Sequence, residues 1–176
     1  LHPVDQRVRV PVDVPLRVVL RRAADRRRPG HRLEANVEAW VELHPAEARI
    51  LAASFADDRR ARVHPVDGYV ALKSFLPPSP RRGLVLIDPS FEATDELARI
   101  VGGLGAAHRR WATGCYAIWY PIKLERDTTR WLDGLAAKVA PRPLLVSELW
   151  VHPRDSRVGL NGSGLAIANP PYLLDE

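Results

Sequence analysis

The sequence has no methionine, a single cysteine and no long apolar run. Each absence excludes something. A bilayer-spanning helix needs roughly 20 mainly apolar residues, and no stretch comes near that length. The first residues are polar and arginine-rich, unlike a secretory leader. One cysteine cannot form an internal disulfide or a cysteine-based metal cluster. No metal-ligand spacing is present, and we expect no metal. These absences suggest a cytoplasmic protein with no membrane partner. With no methionine and Leu1 first, we expect a fragment, a processed product or an incomplete gene model. Also missing is any Asp-x-x-x-Gly-x-Gly stretch.

What is present is one domain's worth of chain, 176 residues with a net charge of +5. The pI near 9.9 fits a polyanionic partner such as RNA, though arginine-rich coding would produce the same excess. Residues 1–36 form a divergent basic segment in which valines alternate with prolines and arginines. A disordered tail and an RNA-binding arm are both open there.

The stretch from Arg82 to Glu92 organises the rest. Leu84 to Ile87 is a short apolar run that ends in Asp88-Pro89-Ser90-Phe91. Such a run, bounded by turn residues, predicts a strand buried on both faces of a parallel sheet. Pro89 has no N–H and is expected to stop the ladder. Asp88 then lies at the carboxyl end of a central strand, where open α/β sheets bind their ligands. The tetrad suits amino-methyl transfer. An exocyclic amine is a poor nucleophile, because its lone pair is delocalised into the ring. Acceptors at Asp88 and at the Pro89 carbonyl can hold the amine and localise that pair, while Phe91 stacks on an extruded base. On these four residues alone, an ordinary turn after a strand is the plainer explanation.

The surrounding residues add more. Val41-Glu42-Leu43-His44-Pro45, Asp67-Gly68-Tyr69, the strand ending in Asp88-Pro89, and Trp111 through Tyr116-Ala117-Ile118-Trp119-Tyr120-Pro121-Ile122 closely resemble the bacterial 23S rRNA adenine-N6-methyltransferases of the RlmJ family. The resemblance covers roughly residues 40–172 and includes Gly162 to Tyr172. It implies a Rossmann-like, class I methyltransferase sheet in residues 37–176, with an antiparallel strand at one edge. Its first strand and glycine turn are not recognisable. It implies S-adenosylmethionine as cofactor, held by Glu42, Asp67, Gly68 and Asp88. It implies catalysis at Asp88, Pro89 and Phe91 on one adenine of 23S rRNA, by a monomer and without DNA. The sequence departs from the family's pattern at Ser90, where the tetrad has a second proline.

The residues also support plainer roles. Glu42 could cap the helix that starts near Pro45, and Asp67 is a good N-cap for the next one. Trp119 and Tyr120 could stack a base or simply fill the core. His108, Arg109 and Arg110 suit a helix C-terminus as well as RNA. Asn169-Pro170-Pro171-Tyr172 matches the tetrad pattern better than the first copy, but we expect only a structural turn there. A chain without the glycine turn could be an inactive remnant that keeps an RNA-binding surface. A small-molecule amino-methyltransferase would share the tetrad but not the tryptophan-rich block.

Overall fold

The computed structural model describes residues 16–22, 38–91, 93–172 and 174. Among them are seven strands and four helices. These are β1 (Leu16–Arg22), β2 (Glu38–Val41), α1 (Pro45–Ser54), β3 (Ala61–His64), α2 (Gly68–Ser74), β4 (Gly83–Pro89), α3 (Glu96–Arg110), β5 (Cys115–Ile122), α4 (Glu125–Val139), β6 (Leu144–Trp150) and β7 (Gly162–Ala168). The strands form one sheet in the order β3-β2-β1-β4-β5-β7-β6. Neighbours β2 and β3 run parallel, as do β4 and β5. β7 runs antiparallel to β5 and β6, one place in from the edge strand β6.

The place between β2 and β4 is filled by β1. It pairs antiparallel to both neighbours, with Leu16 opposite Pro89, Arg17 opposite Asp88 and Val18 opposite Val41. Its amino end therefore lies beside the carboxyl ends of β2 and β4. Of the basic segment 1–36, this strand is the described part.

The helices follow from local chemistry. Asp67 accepts a hydrogen bond from Val70 N at 3.0 Å and caps α2. α3 begins with Glu96 and ends with His108, Arg109 and Arg110. α4 begins with Glu125 and Asp127 and carries Lys138 in its last turn. Both charge arrangements complement the helix dipole. Each of these helices turns one apolar stripe to the sheet. Ile100 and Leu104 of α3, and Trp131, Leu135 and Val139 of α4, meet Val85 and Ile87 of β4 and Tyr116, Ile118 and Ile122 of β5 in one core. Leu104, Leu135, Ile118 and Ile122 have no exposed surface, and burying each contributes about 1.5–3 kcal/mol.

The other face of the sheet corrects the sequence expectation for the central strand. Along β4 burial alternates, and Leu84 and Leu86 remain 38% and 37% exposed. The strand is buried on one face rather than two, since α2, α3 and α4 all pack on the same side. α1 lies over the opposite face towards the β2–β3 edge, near Trp40 and Leu86. Pro89 does end the strand, as expected. It is the last residue of β4, paired with Leu16, and it is buried. A terminal position tolerates proline because the missing donor costs no interior bond. No described helix is long and apolar enough to cross a membrane.

Candidate active site at the carboxyl ends of the parallel strands

β2, β3, β4 and β5 all end on the same side of the molecule, and the candidate residues lie at those ends. Glu42 follows β2, Asp67 follows β3, Asp88 closes β4 and Lys123 follows β5. After Pro89 the chain turns sharply, and Phe91 adopts φ 56°. A side chain in this left-handed region is uncommon and is strained for a bulky residue. The turn holds the Phe91 ring edge-on to Trp119, with centroids 5.7 Å apart. Trp119 is 36% exposed.

The tetrad divides its residues between the two sides of the sheet. Asp88 and Glu42 line a cavity of about 290 Å³ together with Trp40, Leu86 and residues of α1. Glu42 is buried, and its Oε1 accepts a hydrogen bond from His44 N at 3.0 Å. Phe91 lines a second cavity, of about 370 Å³, with Glu96, Tyr120, Lys123, Thr128 and Trp131. The structure thus brings Glu42 and Asp88 together. Asp67 and Gly68 line neither cavity. Asp67 caps α2 and faces Arg99 at 4.0 Å, and Gly68 is buried in the first turn.

Glu96 belongs to this site and was not singled out from the sequence. It is 2% exposed. The Tyr69 hydroxyl donates to its Oε1. Its Oε2 has no hydrogen-bond donor, and the nearest cation, Arg99 Nη1, is 3.9 Å away. Burial, and then the bond to Glu96, push the Tyr69 hydroxyl well above its ordinary pKa. A glutamate in a first helical turn looks like a dipole partner, so its burial had no sequence signal. Tyr120 is core as well as cavity wall. It is 1% exposed, donates to Glu148 Oε1 at 2.9 Å and packs edge-on against Trp131 at 4.9 Å.

The second tetrad is structural. β7 runs against β5, so Asn169 lies beside the start of β5, where its Nδ2 donates to Gly114 O at 3.3 Å. That is the opposite end of the sheet from Asp88. No group of three or more His, Cys, Asp or Glu side chains that could hold a metal occurs among the described residues.

Residues 28–176 match the family model described as "Ribosomal RNA large subunit methyltransferase D, RlmJ". The chain belongs to this family. Proteins named Ribosomal RNA large subunit methyltransferase J from Escherichia coli K12 and Haemophilus influenzae Rd are each 42% identical to it, over 136 and 135 residues. Those alignments cover 77% of this chain and 48% of each relative, so the chain spans about half the length of the curated relatives it matches. The crystal structure of a protein from Legionella pneumophila strain Philadelphia 1 superimposes with a TM-score of 0.69 at 32% identity, over 77% of this chain and 50% of that one. Glu42, Asp67, Gly68, Asp88, Pro89 and Phe91 all fall inside the family match. β1, at Leu16–Arg22, falls before it. The strand that fills the first-strand position therefore comes from outside the matched segment, and it runs in the opposite sense to its neighbours.

Proposed function

We propose that the chain carries the catalytic half of an rRNA methyltransferase that transfers a methyl group from S-adenosylmethionine to N6 of one adenine in 23S rRNA. The observation that supports this most is Asp88 at the carboxyl end of β4, followed by a turn that holds Phe91 at φ 56° against Trp119. Strain of this kind persists where the surrounding structure maintains it, and it clusters at functional sites.

The residues divide the work. The Asp88 carboxylate and the Pro89 carbonyl accept the hydrogens of the amine and draw its lone pair out of the ring. A base that meets both Asp88 and Phe91 must cross the end of β4, because the two line different cavities; Phe91 offers the stacking face there and Trp119 supports it from the side. When bound, the cofactor supplies an electrophilic methyl group.

The residues present fit the nucleoside part of that cofactor. Glu42 is a buried carboxylate at the end of β2, a position suited to ribose hydroxyls, and it shares its cavity with Asp88. Asp67 and Gly68 stand at the end of β3 but line neither cavity, so the nucleoside fit is carried by Glu42. For the rest of the cofactor the fit is incomplete. A glycine-rich turn would follow a parallel first strand, but β1 presents its amino end there. This favours a second reading, an RNA-binding member of the family without activity of its own.

Titration calorimetry with S-adenosylhomocysteine separates the two. Micromolar binding supports the methyltransferase, and methylation of unmodified 23S rRNA, lost in Asp88→Ala, would follow. A folded sample that binds none overturns it.

A further inference from the structure

The loop between β6 and β7 carries Arg154, Asp155 and Arg157, and it is held in shape from below. Asn161 is fully buried. Its Nδ2 donates to the Pro153 and Ser156 carbonyls at 3.1 and 3.3 Å, and its backbone N donates to Ile122 O at 2.7 Å. Its carbonyl accepts from Val151 N at 3.0 Å. Above the loop, the Arg154 guanidinium lies over the Trp150 ring at 4.7 Å, and its Nη1 meets Glu125 Oε1 at 2.6 Å. The loop is thereby fixed against the start of α4.

Between the loop and α4 lies a groove of about 730 Å³, lined by Lys123, Arg126, Arg154 and Arg157 together with Glu125 and Asp155. Lys123 and Leu124 also line the cavity that holds Phe91 and Glu96, so the groove and that cavity share a wall. Glu125 is engaged by Arg154, and Arg126 stands 3.5 Å from Asp127. Lys123 and Arg157 form no ion pair among the described residues. The groove thus presents cations on a preordered wall, next to an aromatic pocket.

We propose that this groove binds the RNA sugar–phosphate backbone beside a base lodged against Phe91. The proposal rests on the rRNA reading above. Phosphates are fixed by Lys and Arg side chains and set the register of the strand, while the pocket receives the base. A wall already ordered by Asn161 and Trp150 loses little conformational entropy when the strand arrives.

The test is fluorescence anisotropy of a labelled single-stranded RNA with the full chain, over a series of salt concentrations. Each lost phosphate contact lowers the salt slope by about 0.7, which is about five-fold in affinity near 0.1 M salt. Lys123→Gln/Arg157→Gln should bind about 25-fold more weakly, with a slope lower by about 1.4. Arg82→Gln/Arg109→Gln removes the same charge at the other end of the sheet and should leave the slope unchanged. If circular dichroism shows that the groove double variant is unfolded, Arg157→Gln alone decides, by losing half of that slope or none. An unchanged slope in the groove variants, or an equal loss in the control pair, overturns the proposal. Calorimetry with S-adenosylhomocysteine on the same samples keeps the two readings apart. RNA bound through the groove without the cofactor product upholds this proposal and sinks the methyltransferase. Cofactor product bound with an unchanged RNA slope does the reverse.

Discussion

Replacing Gly164 by alanine should destabilise the protein severely, and the structure says why. Gly164 lies on the core face of β7, under the Tyr120 ring. A Cβ there would stand 2.3 Å from Tyr120 Cζ and 2.4 Å from its hydroxyl oxygen. The ring cannot swing clear, because it is fully buried, packed on Trp131 and bonded to Glu148. Overpacking of this kind costs about 1–3 kcal/mol. Breaking the hydroxyl's bond to a carboxylate adds about 1.5–3 kcal/mol, and alanine recovers about 0.5–1 kcal/mol of backbone entropy. The net loss is about 3 kcal/mol. With a urea dependence of about 2 kcal/mol per M, the unfolding midpoint should fall by about 1.5 M. Tyr120→Leu removes the obstruction, so in that background Gly164→Ala should cost under about 0.5 kcal/mol. A midpoint within about 0.3 M of the parent, or the same cost in both backgrounds, would refute the reasoning.

The remaining expectations can be checked on the same protein. Leu104→Ala leaves a cavity between α3 and the sheet and should cost about 2–5 kcal/mol, read as a fall in the calorimetric melting temperature. Asp67→Ala should lose about 1 kcal/mol of helix capping, whereas Asp67→Asn keeps the cap; product binding that weakens in both would support the cofactor role as well. Trp119→Ala should change stability by under about 1 kcal/mol yet weaken RNA binding by about 1–3 kcal/mol if the ring supports a stacked base. Burial raises the hydroxyl pKa of Tyr69, Tyr116 and Tyr120 above the ordinary 10. Their contribution to stability is therefore complete below pH 10 and is lost progressively above it, because the unfolded chain gives up those protons first. Titration at the tyrosinate absorbance should show these rings ionising together with unfolding, and ionisation while the fold persists would contradict their burial.

Much of the chain was legible before any coordinates. The spacing of Trp131, Leu132 and Leu135 suits the helix α4 that carries them, and the acid at the end of the central strand is where the apolar run placed it. Boundaries moved where the signals were local. The helix that ends at Arg110 begins only at Glu96, since the strained turn through Phe91 must finish first. The one-sided burial of Leu84 and Leu86 was not legible. A strand covered on one face and a strand covered on both can share the same apolar residues, and only the placement of α2, α3 and α4 on one side distinguishes them. Glu96 and Asn161 were equally silent, because burial of a polar residue depends on what packs over it.

By itself, the sequence determined the central strand, which acids end the strands, and to which family the chain belongs, because those are properties of neighbours along the chain; it did not show β1. The tertiary structure decided what shares a space. It joined Glu42 to Asp88, separated Phe91 from Asp88 across the sheet, and brought Lys123 to the loop of Arg154 and Arg157. It also decided the sense of β1. A short strand such as Leu16–Arg22 can pair in either direction, and only the sheet around it selects the antiparallel one.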